Sequence, residues 1–131
     1  MSYLLDTHVL LWMLQGSRRL GARTRRTLAS PGAANWVSAA SAWEISIKSA
    51  LGRLQIADNL AASLPDVLRR GGFRSLPITT EHALAVRALP PHHADPFDRM
   101  LVAQALCENL ILVSADEQVA AYPVRRLDAT L

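Results

Sequence analysis

Cysteine is nearly absent from this chain: Cys107 stands alone, so no internal disulfide can form and stability has to come from a packed core. Its place in the apolar run from Leu101 to Leu110 predicts a buried, unreactive thiol. Aromatic residues are scarce at 5%, whereas Ala and Leu are plentiful, a composition that suits a helix-rich protein. Lysine is almost missing as well, Lys48 being the one exception among 14 basic residues that are otherwise Arg. Arg favours bidentate phosphate contacts, although a solvated basic surface explains the same bias. No apolar stretch approaches the roughly 20 residues of a membrane span, and no basic segment precedes the first apolar residues. The expectation is a cytoplasmic protein with no membrane partner. A glycine-rich phosphate loop is also lacking, which removes the simplest nucleotide-binding readings.

What the chain has is alternation. Its 131 residues predict one domain spanning 1–131, large enough to bury about two-thirds of its unfolded surface. Short apolar runs alternate with helical periods, which implies βαβ units around a mainly parallel sheet. Ser2 to Leu5 reads as a first strand, and Thr7 as the cap of a helix from His8 to about Leu14 packed by Leu10, Leu11 and Leu14. A second helix covers Ala22 to Leu28, and Asn35 to Val37 is a short strand. Ser38 then caps a helix that runs to Leu51 and stops at Gly52, with Ile47, Ala50 and Leu51 as inward candidates. A helix from about Asn59 to Arg70 precedes a strand from Arg74 to Ile78, which Pro77 assigns to an edge or a strand end. Helical patterns follow from Thr80 to Leu89 and from Pro96 to about Glu108, the latter capped by Asp95. Leu110 to Val113 reads as a buried strand, then a short helix after Asp116 leads to a last strand at Val124 to Leu127.

Four acids stand out on this map. Asp6 closes the first strand and Asp116 follows the Leu110 to Val113 strand, the junctions where α/β sheets place their chemistry. Glu44 and Asp98 lie just inside helices. Each has a structural reading: Ser41 to Glu44 resembles a capping box, Glu44 and Lys48 form an i,i+4 pair, Asp98 suits a helix dipole after Asp95 and Pro96, and Asp116 with Glu117 suits a helix start. Together they read differently. Four clustered carboxylates repel unless cations neutralise them, and hard divalent ions with oxygen ligands, Mg²⁺ or Mn²⁺, meet that need. With positive charge elsewhere, densest at Arg18, Arg19, Arg23, Arg25 and Arg26, the pattern points to metal-dependent hydrolysis of a nucleic acid. Arg99 is a further candidate for phosphate, or for a surface ion pair.

The stretches Leu4 to His8, Val37 to Ile45, His93 to Arg99 and Leu112 to Asp116 resemble, in order, the successive signatures of PIN-domain ribonucleases, most closely the VapC toxins of toxin–antitoxin pairs. The resemblance covers nearly the whole chain. It implies a three-layer α/β/α fold, an endoribonuclease dependent on Mg²⁺ or Mn²⁺, a homodimer, and a VapB-type antitoxin that blocks the site. It also implies that Asp6, Glu44, Asp98 and Asp116 are the catalytic metal ligands. Asp95 is expected to support the site or cap its helix, Thr7 to support it as well, and Ser114 stands where the family more often has Thr. An antitoxin is expected to lie in a groove between the first helix, with Leu11 and Trp12, and its neighbours, placing a cation among the acids.

Two other functions were weighed against this one. A phosphoryl-accepting signalling domain needs a paired acid beside the acceptor and a Lys after a late strand, and neither is evident. A nucleic-acid-binding domain without catalysis fits poorly with four intact acids. A zinc site at His92 and His93 lacks paired ligands, since Cys107 is isolated. Trp12, Trp36 and Trp43, beside helical apolar positions, read as core.

Overall fold

The computed structural model describes residues 1–54, 56 and 58–131. Its centre is a five-stranded sheet in which every pairing is parallel: β1 (Ser2–Leu5), β2 (Ala34–Ser38), β3 (Arg74–Leu76), β4 (Ile111–Ser114) and β5 (Arg126–Asp128), ordered β3-β2-β1-β4-β5. The helices among the described residues are α1 (Thr7–Gln15), α2 (Ala22–Ala29), α3 (Ala39–Ala50), α4 (Asp58–Arg70), α5 (Thr80–Ala85) and α6 (Pro96–Glu108), with 3₁₀ turns at Val86–Ala88 and Val119–Ala121. None is long and apolar enough to cross a membrane.

Period-two alternation in the central strands produces the layers. Leu4 and Leu112 face one side and pack with Leu101, Val102 and Ala105 of α6. Tyr3, Leu5 and Val113 face the other, against Val9 and Leu10 of α1, Leu28 of α2 and Leu64 of α4. Because β1 and β4 are buried on both faces, they read as unbroken apolar runs rather than alternating ones. Leu4, Leu5, Leu112 and Val113 are at most 1% exposed, so each contributes about 1.5–3 kcal/mol of burial.

The connections set the position of any site. From β1 the chain moves outward through β2 to β3, then returns to place β4 on the opposite side of β1, so the crevice lies between β1 and β4. Leu5 pairs with both Val37 and Val113, which aligns the three strand ends. Asp6, Ser38 and Ser114 therefore stand in one row. A buried network fixes α6 to this row: Ser38 Oγ donates to Gln104 Oε1, and Gln104 Nε2 donates to the Pro77 carbonyl at 3.3 Å.

Several expectations need correction. The cap of α1 is Asp6, not Thr7; Thr7 is the first helical residue. Ser38 caps α3 as expected, so Ser41 to Glu44 is not a capping box. The buried face of α3 is Ala40, Ser41, Glu44 and Ile45, whereas Leu51 is 61% exposed. The apolar period of Ile47, Ala50 and Leu51 points to a different face from the one that packs, because the buried face carries the polar Ser41 and Glu44. Cys107 is exposed because α6 buries residues 101–105 and then leaves the sheet. Trp43 is 59% exposed rather than core. On α1, Leu11 is buried in the core and Trp12 is half-buried. Pro77 does end an edge strand, and the helices at 80–89 and after Asp116 tighten into 3₁₀ turns.

Candidate active site

Asp6 is held from two directions. Extended backbone (φ −70°, ψ 162°) carries its side chain over the start of α1, where Oδ1 accepts from the N–H groups of His8 (2.8 Å) and Val9 (3.3 Å). Oδ2 accepts from the Ser114 hydroxyl at 2.7 Å. Burial alone would push this carboxyl up, but the His8 imidazole 3.6 Å away, Ser114 and the helix N–H groups hold it below the ordinary carboxylate range. His8 is raised in turn, chiefly by its contact with Asp6.

Glu44 enters from the second turn of α3 and is 3% exposed. Its Oε1 accepts from the Thr7 hydroxyl at 2.6 Å, its Oε2 pairs with Lys48, and Thr7 Oγ1 lies 3.0 Å from Ser41 Oγ. Thr7 thus joins the acid of α3 to the start of α1. The pairing raises Lys48 above its ordinary value.

Asp98 and Asp116 close the other side. Asp95 caps α6, its Oδ1 accepting from Phe97 N–H (2.8 Å) and Asp98 N–H (3.3 Å) behind Pro96 at the first helical position. That turns Asp98 into the crevice, where burial, then Asp95 and Asp6, and also Glu44, push its carboxyl to about 7, with His93 opposing. Asp116 accepts from Gln118 N–H through Oδ1 at 2.9 Å, and its own N–H donates to Ser114 Oγ at 3.0 Å. Ser114 therefore links the first acid to the fourth.

Of the residues singled out in the sequence, Asp6, Glu44, Asp98 and Asp116 converge on the carboxyl ends of β1 and β4, with Thr7, Asp95 and Ser114 bonded among them. The Arg candidates divide. Arg18, Arg19, Arg23 and Arg26 are exposed, and Arg25 donates to the Ser17 carbonyl at 2.8 Å. The first turn of α2 is tied to the end of β5, with Thr24 Oγ1 on the Asp128 carbonyl at 2.8 Å and Arg23 N–H on the Leu131 carbonyl at 2.9 Å, which puts Arg23 near the carboxyl edge of the sheet. Arg99 forms no surface ion pair among the described residues. Its guanidinium is turned inward, donating to the carbonyls of Pro90 (2.9 Å), Val86 (3.1 Å) and Leu89 (3.3 Å) and to Tyr122 Oη (3.1 Å).

From the sequence, His93 is weighed as a ligand only for a zinc site with His92 and has no part among the four acids. Its Nε2 lies 2.8 Å from Asp116 Oδ2 and 2.9 Å from Asp98 Oδ2, at 12% side-chain exposure. A His next to another His carries no metal-ligand spacing; the available signal was its place five residues before Asp98, in the turn that delivers that acid. The assembled groups are carboxylate oxygens with two imidazoles beside them, His8 at Asp6 and His93 at Asp98 and Asp116, a set that suits hard or borderline divalent ions. His93, Asp98 and Asp116 offer atoms within 4.8 Å of one another.

The sequence model of the PIN domain matches residues 3–124. Similar solved structures include VapBC2 from Rickettsia felis bound to a DNA fragment from their promoter, at 13% identity over 98% of both chains with a TM-score of 0.73. Others are VapBC-1 from nontypeable Haemophilus influenzae, at 17% identity over 100% of both chains and a TM-score of 0.66, and FitAcB from Neisseria gonorrhoeae, at 20% over 97% of both and 0.67. At such identities the likeness establishes the fold. No curated protein matches the chain.

Proposed function

The chain belongs to the PIN domain family, and from that premise we propose that it is a divalent-metal-dependent endoribonuclease acting as the toxin of a toxin–antitoxin pair in the cytoplasm. The observation that carries this reading is the gathering of four acids at the carboxyl ends of β1 and β4: Asp6 and Glu44 are tied across the start of α1, Asp98 and Asp116 meet at His93, and Asp98 is pushed up by burial and its acidic neighbours. A site that strains to take up a proton has room for a cation. Asp6, Glu44, Asp98 and Asp116 are the residues that would hold Mg²⁺ or Mn²⁺, and their oxygen-rich donor set fits either ion. When bound, such an ion lowers the pKa of water and neutralises charge developing on a phosphodiester.

The protein's own groups do the arranging. The N–H groups at the start of α1 and the Ser114 hydroxyl fix both oxygens of Asp6, and Thr7 and Lys48 fix both oxygens of Glu44. Little reorganisation is then needed when the polyanion arrives. Arg18, Arg19, Arg23, Arg25 and Arg26 supply the positive rim that attracts it. A phosphoryl-acceptor role is disfavoured, because the chain's one lysine, Lys48, lies on α3 and pairs with Glu44 instead of following a late strand.

Inhibition by a VapB-type partner follows from the same acids, since an Arg or Lys side chain can compete with the ion for them. The apolar cleft of about 600 Å³ between α3 and α4, lined by Ala42, Ile45, Leu64, Leu68 and Leu76, would take that partner's apolar flank. The catalytic reading is tested with single-stranded RNA and DNA of one sequence, incubated with the wild type in Mg²⁺, Mn²⁺ or EDTA. Internal cleavage of RNA in either ion and none in EDTA is expected; cleavage that survives EDTA, or that is confined to DNA, contradicts it.

A further inference from the structure

One imidazole nitrogen touches carboxylates from two different elements. His93 Nε2 reaches Asp98 on the first turn of α6 and Asp116 in the loop after β4, an arrangement that looks like a His-Asp-Asp ligand set. The other ring nitrogen argues otherwise. His93 Nδ1 receives the backbone N–H of Asp95 at 3.2 Å, and an amide N–H can only donate. The ring proton of the neutral imidazole therefore sits on Nε2, pointing at the two acids. A metal-bound His has the opposite pattern: it gives its second N–H to a carbonyl or carboxylate.

The backbone around the ring is fixed too. His93 N–H donates to Tyr122 Oη at 3.0 Å, and the same oxygen receives Arg99 at 3.1 Å. Arg99 in turn holds the carbonyls of Val86, Leu89 and Pro90, so the segment leading into α6 is anchored along its length. The ring edge has little freedom to turn away.

Resting on the metal-dependent reading above, we propose that His93 is a positioning residue of the metal centre and not a ligand. Its Nε2–H is shared between Asp98 Oδ2 and Asp116 Oδ2 and holds the two carboxylates at the separation the ion requires. Without that donor, like charges on two elements are free to swing apart, and the ion has to gather them. Removing an outer hydrogen-bond partner of a ligand typically weakens metal binding by about 10–100-fold.

The test uses Mn²⁺ alone with the whole protein. Free Mn²⁺ is followed by electron paramagnetic resonance during titration of wild type, His93→Ala and His93→Gln, and the bound ion is examined for electron-nuclear coupling to ¹⁴N in wild type and His8→Ala. The inference expects no nitrogen coupling beyond any that His8→Ala removes, since the exposed His8 imidazole lies 3.6 Å from Asp6. It also expects binding weakened about tenfold or more in His93→Ala, and recovery of most of that loss in His93→Gln, whose amide N–H reaches the same place. Unchanged affinity in a folded His93→Ala overturns it. So does nitrogen coupling that persists in His8→Ala, which would make His93 a ligand and is decisive even if the His93→Ala variant fails to fold. Wild type that binds no Mn²⁺ removes the metal-dependent reading and this inference together, whereas the two preceding results remove this inference alone.

Discussion

Asp6 does two jobs with one side chain, capping α1 through Oδ1 while Oδ2 stays within the crevice on Ser114. Its place at the crevice was legible because an acid directly after a buried strand lies where such sheets open, whereas its capping of α1 was not. Glu44 was harder, since Ser41 three residues earlier mimics a capping box although Ser38 already holds the cap position. His93 was legible only as part of the stretch from His93 to Arg99, not as a partner of the acids: those partners lie 5 and 23 residues away, and no local pattern joins all three. Asp98 yields the sharpest expectation for a single residue. Asp98→Asn should lower RNA cleavage on the order of 100-fold or more, the scale of losing one group that stabilises developing charge. Its metal-free melting temperature at pH 8 should not fall, because the replaced carboxyl is one that the site disfavours as an anion. Cleavage and melting measured on the same preparation check both, and retained activity would show that the third acid is another residue.

At the scale of elements, capping and termination signals were readable where they are local. Asp95 followed by Pro96 marked the start of α6, and Ser38 marked that of α3, because each needs only its own neighbours. The faces of the helices were less readable, since which side of α3 is buried depends on Glu44 meeting Thr7 across the crevice. No apolar period reports that contact. The end of α6 shows the same limit: Leu106 and Cys107 continue an apolar run but emerge from the sheet. The cap itself can be separated from the chemistry. Asp95→Ala should cost about 1 kcal/mol in urea denaturation, whereas Asp95→Asn should cost a few tenths and keep RNA cleavage near wild type, as Asn remains a good cap. Loss of cleavage in a stable Asp95→Asn would instead place Asp95 among the metal ligands.

Across the whole molecule, the parallel sheet was legible from alternation of runs, and the gathering of the acids follows from the β3-β2-β1-β4-β5 order, which no residue announces by itself. Its cost shows in pH dependence. Asp98 rises from 3.8 to about 7 on folding, so its contribution to stability is complete below 3.8 and is lost as pH climbs through about 7. His8 is raised above its ordinary 6.5, so its contribution is likewise lost with rising pH. Asp6 is lowered, and its contribution is already present above 3.8. Between pH 5 and 8 the two changing groups act in one direction. The metal-free protein should melt at progressively lower temperature over that range, and saturating Mg²⁺ should flatten the fall by replacing the proton on Asp98. Thermal melts in EDTA and in Mg²⁺ check this; a metal-free stability that rises with pH would contradict it.

The central claim is that these four acids form one metal-dependent nuclease centre, and Asp6→Asn tests it most directly because Asn preserves the cap of α1 while removing the buried anion. The measurement is the initial rate of single-stranded RNA cleavage in Mg²⁺ by wild type and by this variant, with both shown to be folded. The account predicts cleavage by wild type and a loss on the order of 100-fold or more in Asp6→Asn. Equal rates, or a wild type inert on RNA in both Mg²⁺ and Mn²⁺, would contradict it.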